Sequence, residues 1–478
     1  MIVFKFGGTS VGSPRAIGAV AEIIARHRSG ADGGSTEPGV AGGLVVVVSA
    51  MAGVTNSLIA AARAAAAGRT AECRDIKAAL LRQHLAVVDE LLGDCSEGLE
   101  ACGQIEDALH ELERLLRSIA VLGELTRRGL DVVAAFGERM SSGLLAAVLR
   151  RRGVRAQALS ATGLIVTDAR FGEASPQAAP TRERLRQAVP PLLGRGVVPV
   201  ITGYIAATAE GVTTTLGRGG SDYTAAIIGA ALAAAEVWIW TDVDGILTAD
   251  PNLVPGARTL SELTYAEAAE LAYFGADVLH PKTIGPLVTD GIPLRILNTF
   301  NPAHPGTRIA PRPAPEREAL PALISTEGLA MIAVGTPDDS WTLQLAARAL
   351  QHLSEAGVDV PMFSQSFSEH RLNLVVRGPD QAHALDVLER VFGGGAAGAC
   401  VIGVRGEVAT LSVVGPPGTD GTALTAKAFG ALGRRGTPVL AVAQGTTGRS
   451  VSICVPEGQL ATAVRDLHQE LAVEVAHA

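Results

Sequence analysis

The sequence predicts an α/β protein: a large half built on a mostly parallel sheet, followed by two smaller α+β units of ferredoxin-like form. Three observations carry this. Short apolar runs alternate with helical patterns from Ile2 to Ile296, which is the signature of helices layered on a parallel sheet. A proline-rich break then follows. Beyond it the chain repeats itself.

The elements follow in order. Ile2–Phe6 is a β-prone run ending in Gly-Gly, with a helical stretch from Pro14 to His27 behind it. Ser29–Gly43 is rich in Gly, Ser and Pro and reads as a surface loop. LVVVVS at 44–49 is apolar on both faces and too short for a helix, so it reads as a buried parallel strand. Helical patterns occupy 55–68, 72–92 and 99–128. Further strands are expected at Val132–Ala135, Ala156–Ser160, Val197–Thr202, Val237–Thr241 and Pro293–Ile296. The stretch Asn301–Pro321 holds six prolines and is expected to lack regular structure. After it, MFSQSFSEHRLNLVV (362–376) resembles AVAQGTTGRSVSICV (441–455), with Gln365 and Gln444 aligned at a period of about 79 residues. Helices are expected on both sides of each copy, giving strand–helix–strand–strand–helix. Such a unit leaves one sheet face open, and pairing two units covers it. The expected divisions are 1–305, a linker over 306–321, and repeats over 322–400 and 401–478.

Composition narrows the function. Of 478 residues, 47% are hydrophobic and 18% charged, enough for sizeable cores and against global disorder. A net charge of -8 with only 4% aromatics argues against a nucleic-acid-binding face. The five cysteines are scattered without a CxxC, which points to a reducing cytoplasm with neither a disulfide frame nor a zinc site. The N-terminus has no signal-peptide pattern, and no uninterrupted apolar run reaches the ~18–20 residues of a membrane span.

Four motifs carry chemistry. Lys5-Phe6-Gly7-Gly8-Thr9-Ser10 brings a lysine off a strand into a Gly-Gly turn before a helix. Gly7 and Gly8 let backbone N–H groups approach phosphate oxygens, the helix N-terminus adds partial positive charge, and Lys5 can neutralise a transferring phosphoryl group. TTTLGRGGSD (213–222) again sets glycines before an apolar helix. Ser221 or Asp222 suits its N-cap, and Arg218 could fork a substrate carboxylate. It is neither a GxxxxGK[ST] loop nor a GxGxxG fingerprint. Thr241-Asp242-Val243-Asp244-Gly245 with Asp250 follows an apolar strand. Its carboxylates could hold a ribose or a magnesium ion, or form a polar turn. Lys282, in His280-Pro281-Lys282-Thr283, precedes a helix and could reach a phosphate. His280 is expected to pack or to hold a loop. Glu138 could bind a substrate ammonium group, or be a surface charge.

Together these strings resemble the aspartate kinases of the amino acid kinase family, over nearly the whole chain: KFGGTSV, VSAMAGVTN (48–56), FGERMSS (136–142), TTTLGRGGSDYTA (213–225), WTDVDGILTADP (240–251) and FGADVLHPKTI (274–284). The repeats are similar to that family's tandem ACT domains. The resemblance implies a three-layer αβα kinase domain, ATP and Mg2+, and phosphorylation of the L-aspartate β-carboxylate. It implies feedback by an end-product amino acid, threonine or lysine, and a homodimer or larger assembly joined through the ACT sheets. It assigns catalysis to Lys5 and Asp222, and phosphate contact to Gly7, Gly8, Gly219 and Gly220. Aspartate falls to Ser49, Thr55, Glu138, Arg218 and Ser221, with Tyr204 where relatives often carry Phe. The nucleotide falls to Thr241, Asp242, Asp250 and Lys282. It leaves the metal ligands unassigned. The chain departs at Asp277, where relatives carry Lys, and in the turns 336–341 and 416–422. SQSFSE (364–369) is nearer to threonine-responsive relatives. Two other readings stand beside this one: a kinase of the same fold acting on glutamate or acetylglutamate, and a catalytically silent amino-acid sensor. A fused homoserine dehydrogenase is not expected, since no dinucleotide-binding segment follows the second repeat.

Overall fold

The computed structural model describes residues 1–29, 43–274, 280–312, 320–336, 341–366, 368–392, 400–416, 418–445 and 448–472. Most of the Gly/Ser/Pro insert, Asp277, and parts of the turns at 336–341, 364–369 and 416–422 lie outside the described residues. The chain divides into two compact units.

The first unit comprises Met1–Ile246, Ser261–Tyr265 and Val278–Pro315. Its strands are β1 (Ile2–Phe6), β2 (Leu44–Val48), β3 (Ala156–Leu159), β4 (Val166–Thr167), β5 (Val198–Thr202), β6 (Ile205–Thr208), β7 (Thr213–Thr215), β8 (Glu236–Thr241), β9 (Glu262–Thr264), β10 (Leu294–Asn298) and β11 (Thr307–Ala310). Among the described residues they form an eight-stranded sheet, ordered β3-β5-β2-β1-β8-β10-β11-β9, and a small β4-β6-β7 sheet. Every pairing in the large sheet is parallel except β10 with β11. β1 leads to β2 on one side and is flanked by β8 on the other. The strand order therefore reverses at β1, and the crevice beyond the carboxyl ends of β1, β2 and β8 is where such sheets bind ligands.

Alternation along β1 decides what each side chain does. Phe4 and Phe6 face an apolar layer and stack on Trp238 and Trp240, with centroids 4.9 and 5.9 Å apart. Val3 and Lys5 take the opposite face. Both layers are close-packed, so β1 and β2 are buried at all ten positions.

Two local readings change. Val132–Ala135 is helical, not a strand: Thr126 caps the helix Arg127–Ala134 by accepting the Gly129 N–H at 3.0 Å, and a second helix, Phe136–Arg151, follows directly. Short apolar runs do not by themselves separate strand from buried helix. Within the proline-rich stretch, Thr307–Ala310 forms β11, because the neighbouring prolines, Pro305 and Pro311, fall outside its ladder. The helical span Arg127–Arg151 is long and apolar enough to cross a membrane, but 83% of its apolar window is buried inside the protein. It is a core helix.

The second unit comprises Leu247–Leu260, Ala266–Asp277 and Glu316–Ala478. Its strands are β12 (Ala322–Gly335), β13 (Met362–Ser366), β14 (Arg371–Arg377), β15 (Val401–Val414), β16 (Ala441–Gln444) and β17 (Ser450–Pro456). They form one antiparallel sheet ordered β13-β14-β12-β15-β17-β16. β12 and β15 are each 14 residues long and run through both halves. The half that begins at β15 takes its fourth strand from the start of β12, where Ile324 pairs with Ser412. Each half thus has the four-strand order of a ferredoxin-like unit. Helices Leu343–Glu355 and Gln381–Phe392 cover one half, and Gly421–Arg434 and Leu460–Ala472 the other. Ala249 and Val254 enter the core under the second half, and Thr248 bonds His468 at 3.0 Å. The chain that follows β8 is therefore part of this unit's core.

Candidate active site

The motif residues of the first unit gather at the carboxyl ends of β1, β2, β5, β8 and β10. Lys5, on the face of β1 away from the aromatic layer, meets Asp222 of the helix Gly220–Ala231, with Nζ to Oδ1 at 2.6 Å. Their side chains are 10% and 14% exposed, so each charge depends on the other for compensation. Asp222 is not the N-cap, nor is Ser221. The cap is Gly219, at φ 69°, and no side chain caps the helix. The Asp222 carboxylate is turned to Lys5 instead. A side chain at Gly219 would be strained at that φ, and its Cβ would lie 2.5 Å from that of His280. In the first turn of the helix the Gly220 N–H bonds the Gly217 carbonyl at 3.0 Å, while those of Ser221 and Asp222 meet no protein acceptor among the described residues, beside a lysine, an arrangement that favours anions. The Gly-Gly turn after β1 adds donors: among the described residues the N–H groups of Gly8, Thr9 and Ser10 meet no protein acceptor, whereas that of Gly7 bonds the Trp240 carbonyl at 3.1 Å. Ser10 anchors the turn, its hydroxyl 2.8 Å from that of Thr299 and 3.3 Å from the Trp240 carbonyl.

Glu138 is 2% exposed and so is not a surface charge. Its Oε1 accepts the Ala50 N–H at 3.1 Å, while Oε2 is buried without a partner. Gly137 permits this. A Cβ there would lie 2.6 Å from that of Ala50, so only glycine lets the helix come close enough for Glu138 to reach past β2. Burial raises the Glu138 carboxyl to about 8, against a smaller lowering by the Ala50 N–H. Ser49 lies at the end of β2, its carbonyl accepting from Ser141 at 2.7 Å. Thr55 opens the helix Val54–Ala66. Tyr204 holds φ 64°, uncommon for a non-glycine residue, and its N–H donates to Thr224 at 3.0 Å. Arg218 is exposed in the loop between β7 and the helix Gly220–Ala231.

Thr241 ends β8 and Asp242 follows it, the Thr241 hydroxyl donating to the Asp242 carboxylate at 3.1 Å. Asp244 is a fastener: it accepts from Asn298 and Asn301 at 2.9 and 3.0 Å and ties the β8 loop to β10. Lys282 is exposed in the first turn of the helix Pro281–Asp290. His280 caps that helix, its Nδ1 accepting the Lys282 N–H at 3.2 Å. Burial first, then the charges of Lys282 and Arg218, hold its imidazole below the ordinary value, which suits a neutral cap. Asp250 belongs to the second unit, where its carboxylate closes a turn on the Asn252 N–H at 2.8 Å. Among the described residues no cluster of three His, Cys, Asp or Glu side chains could hold a metal. A divalent cation here fits one brought by nucleotide phosphates with one or two carboxylates in support, as magnesium usually is.

A buried lysine–carboxylate pair, two sets of bare N–H groups and a buried glutamate thus surround the point where the strand order reverses. Residues 1–298 match the amino acid kinase family, and residues 342–392 and 411–471 match the ACT domain. The chain belongs to the amino acid kinase family. The chain is 31% identical over 475 residues to the bifunctional aspartokinase/homoserine dehydrogenase of Haemophilus influenzae, covering 98% of the chain and 56% of that relative. It therefore spans about half the length of that curated relative. It is 34% identical to aspartokinase 2, chloroplastic, of Arabidopsis thaliana, over 81% of the chain and 68% of the relative. Its fold is similar to that of E. coli aspartokinase III in complex with aspartate and ADP, with a TM-score of 0.79, 28% identity, and coverage of 99% and 100% of the two chains.

Asp131 lies outside all of the sequence motifs, yet it is 3% exposed and accepts three hydrogen bonds beside the Arg218 loop. One signal was available: an acidic residue inside the apolar run Leu130–Phe136, because a buried carboxylate needs partners.

Proposed function

We propose that this chain is an aspartate kinase that transfers the ATP γ-phosphoryl group to the β-carboxylate of L-aspartate, giving 4-phospho-L-aspartate. The observation that carries the reading is the Lys5–Asp222 pair at 2.6 Å, set between the two bare N–H sites at the carboxyl end of β1. The aspartokinase relatives support the substrate. The acceptor carboxylate is ionised at neutral pH, so the reaction needs positioning and charge neutralisation rather than a general base. Lys5 faces charge developing on the transferred group, while Asp222 holds it in place. The N–H groups of the Gly7–Gly8 turn and of the Gly219–Gly220 helix start cradle phosphates. Arg218 takes the substrate α-carboxylate and Glu138 its ammonium group, with Ser49, Thr55, Tyr204 and Ser221 around them. Thr241, Asp242 and Lys282 serve the nucleotide. Mg2+ bound together with ATP would supply neutralisation of the phosphate charge.

The kinase domain takes in residues 1–305 and also β11, so that only the later part of the expected 306–321 linker joins it to the ACT units over 322–400 and 401–478. Threonine or lysine acts on these units as feedback effector, and the enzyme is cytoplasmic, at the head of lysine, threonine and methionine synthesis.

The decisive assay traps the acyl phosphate as its hydroxamate, with aspartate or glutamate as acceptor and with lysine, threonine or both added. Turnover with aspartate alone supports the proposal, and the inhibiting amino acid names the effector. Turnover with glutamate instead overturns it. Silence from folded protein that still binds an amino acid favours the sensor reading. Arg218→Ala is expected to raise the aspartate KM about 10- to 100-fold, the loss of hydrogen bonds to a charged group. Unchanged aspartate kinetics would remove Arg218 from the site.

A further inference from the structure

Resting on that reading, we propose that Asp131 is the positioning residue that holds the substrate-binding arginine loop in register. Asp131 lies on the helix Arg127–Ala134. Its Oδ2 accepts the N–H of Gly172 at 2.9 Å and that of Thr215 at 3.1 Å, and its Oδ1 accepts the Thr215 hydroxyl at 2.8 Å. One carboxylate thus joins three segments that are distant in sequence: its own helix, the 168–177 loop and the end of β7. Thr215 is the last residue of β7, and the loop that begins there carries Leu216, Gly217, Arg218 and Gly219 to the helix of Asp222.

The clamp has further supports. The Ala174 N–H donates to the Thr215 carbonyl at 2.9 Å, and a Cβ on Gly217 would lie 3.3 Å from the Gly172 carbonyl oxygen and from Glu173. The two loops are therefore packed in contact where the arginine leaves. Burying a carboxylate in an apolar helix face is costly unless its acceptors are filled. Here the donors that fill them among the described residues come from Gly172 in the 168–177 loop and from Thr215 at the end of β7, not from Asp131's own helix.

The test uses the full chain with Asp131→Asn and Thr215→Val. Asparagine keeps the shape but replaces charged acceptors by neutral ones and can reverse the Thr215 bond. Valine removes only the hydroxyl. Expected for each is a rise in aspartate KM, about tenfold for Asp131→Asn, with the ATP KM within about twofold of the unchanged enzyme. Amide exchange should quicken at Gly172 and Thr215. Unchanged aspartate KM in both variants, or equal rises in both KM values, overturns the proposal. If one variant fails to fold, the other decides. Should the unchanged chain make no aspartyl phosphate, the function reading fails. Aspartate and ATP affinities by calorimetry then replace the KM values, and the same split is required.

Discussion

Lys5→Met is expected to lower kcat by about 10²- to 10³-fold, the scale reached when a preorganised stabiliser of transition-state charge is removed. The structure adds a second effect. The variant leaves Asp222, 14% exposed, without its cation, and breaking a buried pair on one side costs about 3–5 kcal/mol. The double variant Lys5→Met/Asp222→Asn separates the two. It should recover most of the lost thermal stability, since no uncompensated charge remains, and none of the activity. Near-normal turnover in either variant would remove Lys5 from the chemistry. Stability unrelieved in the double variant would remove the ion pair as its cause.

The second large effect is a pH dependence of aspartate binding through Glu138. Its carboxyl is raised from an ordinary 4.5 to about 8. The folded chain therefore binds this proton more tightly than the unfolded one. The stability it contributes is full below the ordinary value and is lost as pH rises through about 8. A substrate ammonium group reverses the preference, because it pairs only with the carboxylate. Aspartate must displace the proton, so its KM should fall roughly tenfold per unit from about pH 6 to about pH 8 and then level off. Aspartate should likewise raise Tm more at pH 8 than at pH 6. Glu138→Gln is expected to flatten the KM profile at a high value. A wild-type KM that is flat across this range would show that Glu138 does not meet the ammonium group.

The strands at Ile2–Phe6, Leu44–Val48 and Val198–Thr202 were legible because five apolar or β-prone residues bounded by glycine or polar turns are a local signal. The repeat was legible because Gln365 and Gln444 occupy equivalent strands, β13 and β16. Val132–Ala135 was misread because the same local pattern serves a buried helix. The structure also decided which acidic residues near β8 do what. Asp242 remains exposed near the strand end, Asp244 is consumed in bonds to two asparagines, and Asp250 closes a turn in the second unit. The motif gives no means of telling them apart, since each is an aspartate in a polar turn.

By itself, the sequence determined that this chain is an α/β kinase-like half followed by two repeats, with Lys5 leaving a strand into a glycine turn and Arg218 standing before a helix. These properties are set by alternation, by glycine's backbone freedom and by short-range order, all of which act within a few residues. Only the tertiary structure decided that Lys5 meets Asp222, that Glu138 is buried with a raised pKa, that Asp131 joins two loops, and that β12 lends its first residues to the other half. Each of these depends on contacts between segments far apart in the chain. Burial, charge compensation and strand pairing are properties of the packed whole, and no local pattern encodes them.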